Sequence, residues 1–125
     1  MELTGEYRIP AAQTAVWDAL NDPAVLQACI PGCRELQGSP ESGFTATVAT
    51  KVGPISAVFK GRVTLSELDP PRGYTLSGEG QGGAAGFARM SARVALAEDG
   101  SDTLLRYQAH AEVGGKLASV GSRLV

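Results

Sequence analysis

The sequence predicts an α+β domain in which one strand and two short helices precede a long antiparallel sheet. Three observations carry this. Apolar and polar residues alternate from Gly43 to Val113. Helical spacing is confined to residues 11–29 and to the last stretch, 115–125. Turn signals at Gly53-Pro54, at D-P-P-R-G (69–73) and at E-D-G-S-D (98–102) cut the alternating region into strand-length pieces.

Leu3, Gly5, Tyr7 and Ile9 alternate with Thr4, Glu6 and Arg8, which reads as a strand stopped by Pro10. The run A-A-Q-T-A-V-W-D-A-L then carries Val16, Trp17 and Leu20 at helical spacing. Asp22 reads as the N-cap, and Pro23 as the first position, of a second short helix through Cys29. The bend Ile30-Pro31-Gly32 ends it. Beyond Gly43, Phe44, Ala46, Val48, Thr50 and Val52 share one face. Ala57, Phe59, Gly61, Val63 and Leu65 do likewise, opposite Lys60 and Arg62. Tyr74, Leu76, Gly78 and Gly80 follow, then Met90, Ala92, Val94 and Leu96 opposite Arg89 and Arg93. Leu105, Tyr107, Ala109, Ala111 and Val113 complete the set, opposite Arg106, Gln108, His110 and Glu112. Such alternation describes a sheet of about six or seven strands, solvated on one face. Its apolar face needs a cover. Leu117, Val120, Leu124 and Val125 recur as the stripe of an amphipathic terminal helix, which reads as short or as cut off at Val125.

With 125 residues, 43% hydrophobic and 19% charged, the chain suits one domain over 1–125. A net charge of -2 and a pI near 5.3 argue against a nucleic-acid partner. No apolar run reaches membrane-spanning length, and the start, M-E-L-T-G-E-Y, does not read as a secretory signal. Two cysteines in such a chain are expected to stay reduced, which points to the cytoplasm.

Candidate chemistry is sparse. Cys29 and Cys33 stand in C-x-x-x-C spacing, and the single histidine, His110, falls by parity on the polar face. These cannot fill a four-ligand zinc site, so no metal is expected and the thiols read as free and buried or semi-buried, with a functional pair as the lesser alternative. No Ser-His or Cys-His nucleophile can be assembled without an inward histidine, so no catalytic residue is assigned. G-E-G-Q-G-G (78–83) matches a dinucleotide fingerprint by letter but lacks the helix that must follow. Asp18 with Asp22, and Glu98 with Asp99 and Asp102, read as capping and turn residues. Lys60, Arg62, Arg89, Arg93 and Arg106 read as a solvated face, with docking of an acidic protein partner as the alternative.

The middle of the apolar face is small: Gly61, Gly78, Gly80, Ala92, Ala109 and Ala111. Interiors pack at crystal-like density, so this space is closed by an approaching helix or filled by a guest. The expected cavity is lined by Trp17, Leu20, Leu26, Ile30, Phe44, Val48, Phe59, Val63, Tyr74, Phe87, Met90, Tyr107, Leu117, Val120 and Leu124. Its mouth is expected near Ile30-Pro31, Gly53-Pro54, Phe87 and the start of the terminal helix.

The order of elements resembles the helix-grip fold of the START/Bet v 1-like (SRPBCC) superfamily, a curved antiparallel sheet with two short helices and a C-terminal helix over the concave face. The runs V-W-D-A-L-N-D-P-A-V-L, C-I-P-G-C, K-V-G-P-I-S-A-V-F-K-G, D-P-P-R-G-Y, A-G-F-A and V-G-G-K-L-A-S-V-G-S-R-L narrow this. They resemble the CoxG-like family of carbon monoxide dehydrogenase subunits from Gly5 to Leu124. The resemblance implies a non-enzymatic accessory protein of a molybdenum hydroxylase. It also implies a part in maturation of that enzyme or in its membrane recruitment, peripherally at the inner face and through a further C-terminal segment. In some members it implies carriage of a quinone or other lipophile. Two alternatives stand beside this: an interaction adaptor whose cavity is self-filled, and a cyclase- or hydratase-like enzyme using Tyr7, Tyr74 or Tyr107.

Overall fold

The computed structural model describes residues 1–52 and 54–115. Strand β1 (Glu2–Ile9) is followed by helices α1 (Gln13–Leu20) and α2 (Pro23–Cys29). Six strands come next: β2 (Cys33–Ser39), β3 (Gly43–Val52), β4 (Ile55–Asp69), β5 (Gly73–Gln81), β6 (Phe87–Asp99) and β7 (Asp102–Gly114). Among the described residues these strands form one curved antiparallel sheet in the order β1-β7-β6-β5-β4-β3-β2. From β2 to β7 every strand pairs with its chain neighbour, and β1 adds to the free edge of β7.

Helix α1 begins two residues later than the sequence pattern suggests. Ala12 is extended and offers no side-chain cap, so the helix is anchored from outside instead. The Gln13 amide donates to the Leu96 carbonyl at 3.0 Å. The Thr103 hydroxyl, fully buried, donates to the Ala11 carbonyl at 2.7 Å. These two bonds, with buried Val16, fix α1 across the ends of β6 and β7. Helix α2 opens as expected: Asp22 accepts from the Ala24 N–H at 2.9 Å and Pro23 occupies the first turn.

Strand β2 has no counterpart in the sequence pattern. Its residues, C-R-E-L-Q-G-S, show little alternation because it is the outermost strand and half solvated. A register shift between Cys33 and Glu35 bends it where the chain leaves the α2 corner. The glycine run at 78–83 finishes β5 and turns through a short 3-10 segment, Gly83–Ala85, straight into β6. No α-helix opens there, so the dinucleotide fingerprint has no structural counterpart.

The terminal helix expected over the concave face, with Leu117, Val120, Leu124 and Val125, lies outside the described residues. Among the described residues the helical cover is α1 and α2 alone, both near the N-terminus.

Candidate functional site

Antiparallel register decides which side chains share a face, because directly paired residues point the same way. Phe44 pairs with Val63 and Val48 with Phe59. Val63 pairs with Gly78 and Gly61 with Gly80. Tyr74 pairs with Val94 and Gly78 with Met90. Ala92 pairs with Ala109, Val94 with Tyr107 and Met90 with Ala111. Leu3 and Gly5 complete these rows on β1. One continuous face therefore carries Phe44, Val48, Phe59, Val63, Tyr74, Met90 and Tyr107 together. This is the face on which α1 packs: Trp17 meets Tyr74 edge-on, with ring centroids 5.5 Å apart. Leu20 and Leu26 are half-buried on the helices. Ile30, at the corner after α2, is 37% exposed.

Burial is uneven across this face. Phe44, Tyr74, Ala92, Val94, Leu96 and Ala109 are buried. Met90 is 43% exposed and Tyr7 61%, although both point the same way as the core. The rings lie flat where glycine allows it. A Cβ on Gly5 would sit 2.6 Å from Tyr107 Cζ, and one on Gly82 would sit 2.8 Å from Phe59 Cδ1. Tyr7 extends the Tyr107 surface as a near-parallel stack at 6.2 Å. The result is a shallow floor of rings and backbone rather than a ridge of side chains.

The electrostatics are equally plain. Between the strand ends, register places no Asp, Glu, His, Lys or Arg of the described residues on this face. Burial alone pushes the Tyr74 hydroxyl above its ordinary pKa, so it stays protonated. One polar atom is stranded nearby in sequence: the Asn21 side-chain oxygen is buried without a donor, while its nitrogen donates to the Trp17 carbonyl at 3.0 Å. The arrangement can hold an apolar body. Among the described residues it holds no general acid or base working near neutrality.

Several expectations change. Phe87 is on the other face, paired with Gly114, with the Arg89 guanidinium 5.0 Å above its ring. Strand parity explains it: Phe87 is the first residue of β6, in step with Arg89 and out of step with Met90. It cannot mark the mouth of a concave-face cavity. Cys29 is exposed rather than buried, whereas Cys33 is half-buried as expected, its thiol donating to the Glu35 carbonyl at 3.2 Å. Leu117, Val120 and Leu124 fall outside the described residues. Two open grooves, of about 400 Å³ and 310 Å³, are lined mostly by residues of the polar face.

His110 is on that polar face too. Its Nδ1 meets Glu2, its cross-strand partner, and its Nε2 lies 3.3 Å from Glu112. The Glu2 bond first, then Glu112, raises its pKa above 6.5. The sign follows from linkage: the stabilisation is complete below the unfolded pKa and fades as pH rises through the raised folded one. It is small, because the ring is exposed. An NMR titration should place the His110 midpoint above 6.5, and Glu2→Gln should lower it. A midpoint at or below that value in the unaltered chain would contradict the pairing.

Comparison with known proteins agrees with this architecture. A conserved protein from Geobacillus kaustophilus is 29% identical, with a TM-score of 0.90, covering 99% of this chain and 82% of that one. A Rhizobium loti protein is 17% identical at a TM-score of 0.73, covering 99% and 87%. Ara h 8.0201 is 12% identical at 0.64, covering 99% and 86%. The last two likenesses show the fold alone, which is Bet v 1-like. No curated protein matches. The family model for CoxG, a carbon monoxide dehydrogenase subunit, matches residues 5–125. The concave sheet, the two short helices after its first strand and the C-I-P-G-C corner are thus features of a chain that belongs to the carbon monoxide dehydrogenase CoxG family.

Proposed function

We propose that this chain is a non-catalytic accessory protein of a molybdenum hydroxylase of the carbon monoxide dehydrogenase type. In this proposal its concave face holds an elongated lipophilic molecule, a quinone being the candidate that the family suggests. The observation that carries the second half is the unfinished face. Tyr7 and Met90 stay open on a floor of flat rings, glycines and alanines that bears no charged group among the described residues. Apolar surface of this kind costs roughly 25 cal/mol for each Å² left in water, so an apolar guest is stabilised there. The helix expected over residues 115–125, with Leu117, Val120 and Leu124, would close over the guest. Binding of the enzyme in the cytoplasm, or peripherally at the inner membrane face, completes the proposal. A cyclase- or hydratase-like activity has less support, since the tyrosines of this face have no acid or base partner among the described residues.

Trp17 is the chain's single tryptophan and abuts Tyr74, so its emission reports on the helix end of the face. Titration with decylubiquinone should quench it saturably, with Kd at about the micromolar level expected for a mostly buried ligand of this size. Native mass spectrometry should show a one-to-one adduct. Unchanged emission together with no adduct would refute the carrier reading.

A further inference from the structure

We infer that the polar face of the sheet carries a separate docking trough for an extended, acidic peptide segment of a partner protein. The two grooves share Arg62 and Glu79, so they form one depression running across β2 to β6. Strands lie about 4.8 Å apart, so this crossing is roughly 19 Å long. That length fits about six residues of extended chain.

Most cations outside the trough are paired, Lys51 and Arg34 being the exceptions among the described residues. Arg8, Arg72, Arg93, Arg106 and His110 all meet carboxylates of their own chain. Lys60, Arg62 and Arg89 form no ion pair among the described residues, though all three are exposed. Glu79 stands in register with both Arg62 and Arg89, yet pairs with neither. Neither Arg62 nor Arg89 therefore has an ion pair to break, and Arg89, whose guanidinium lies over the Phe87 ring, still carries an unneutralised charge. Arg62 and Arg89 lie two strands apart, about 10 Å. Carboxylates on alternate residues of an extended peptide are about 7 Å apart, which arginine side chains can span. Gln37 and Gln81 line the same trough and supply amides for a peptide backbone. A recessed trough suits a chain better than a flat lipid surface. The cations also face Glu35 and Glu79, a mixture that would weaken binding to a uniformly anionic polymer.

This surface is independent of the concave face, so its test does not depend on the lipophile. The probe is a fluorescein-labelled peptide of alternating Glu and Thr, about eight residues long, followed by anisotropy at about 20 mM salt. The wild-type chain should bind it, and the Gln/Thr counterpart should not. Lys60→Gln with Arg62→Gln and Arg89→Gln should weaken binding at least tenfold with unchanged melting. Arg93→Gln with Arg106→Gln, which removes two cations that already have partners, should change it less than about twofold. Glu79→Gln should tighten binding about threefold, because it removes a like charge between the two arginines. Equal losses in the two arginine sets would reduce the effect to non-specific charge and overturn the inference. So would unaltered binding in the triple variant. Phosphatidylglycerol vesicles that bind the wild type more tightly than the peptide, and lose that binding in the triple variant, would replace the peptide with a membrane.

Discussion

Gly86→Ala should lower the unfolding free energy by more than about 3 kcal/mol, a large share of the total for a domain of this size. Gly86 has φ 112 and ψ -154, a backbone conformation essentially closed to residues with a Cβ. Space is missing as well. An added Cβ would overlap the Gly114 carbonyl oxygen and stand 2.9 Å from its carbon and 3.1 Å from Gly115 Cα. These are backbone atoms of β7 and its exit, and cannot swing aside as a side chain can. The Gly86 carbonyl is also fixed, accepting the Gly82 N–H at 2.9 Å. Gly83→Ala is the control. It too has positive φ, 59, but nothing lies within 4 Å of its Cβ position. It should cost only the left-handed penalty, about 1–2 kcal/mol. Urea unfolding of the two variants compares a glycine that is both crowded and strained with an uncrowded left-handed one. Equal midpoints would mean that the β5–β6 connection does not press on β7.

That crossing is not legible in the sequence, and the reason is general. Alternation tells which residues share a face of one strand, and for β3, β4, β6 and β7 it places Phe44, Phe59, Met90 and Tyr107 together, as in the folded sheet. The α2 cap at Asp22 is legible too, since capping depends on adjacent residues only. Alternation says nothing about which distant backbones touch. Gly86 against Gly114 is such a contact, and so is the pair of bonds from Gln13 and Thr103 that anchors α1. Phe87 shows a different limit. Its neighbours A-G-F-A-R-M are apolar on both sides, so the parity of β6 must be set from Arg89 and Met90. Counting from them puts Phe87 with Arg89, and its hydrophobicity alone misleads. Strand β2 escapes the pattern because an edge strand with a bulge needs little apolar alternation to pair. The sequence places Lys60, Arg62 and Arg89 on the outer face but cannot tell them from Arg93 or Arg106. Only the folded positions of Glu67 and Glu6 give those two arginines their partners.

Gly80→Phe should abolish binding of a lipophile to the concave face while leaving the domain folded. Gly80 lies between Gly61 and Ala88 in the paired rows, where the floor is lowest. A Cβ there would meet only the Lys60 carbonyl oxygen, at 3.9 Å, which is ordinary contact. Gly78 would be a poorer choice, since its Cβ would press on Val63 Cγ2 at 3.2 Å. Ala109 is already buried, so enlarging it risks the fold. Phenylalanine favours strands, and its ring would replace space rather than atoms, so melting should shift by the equivalent of no more than about 1 kcal/mol. Binding should fall more than tenfold, or about 1.4 kcal/mol, because the ring stands where the body of the ligand must lie. Gly80→Ala should retain most of the affinity, which would mark the loss as one of volume. Arg62→Gln, on the opposite face, should leave decylubiquinone quenching of Trp17 unchanged. A folded Gly80→Phe that binds like the wild type would remove the concave face as the ligand site. Its apolar floor would then have to serve packing alone, and the polar trough would remain the stronger candidate for partner recognition.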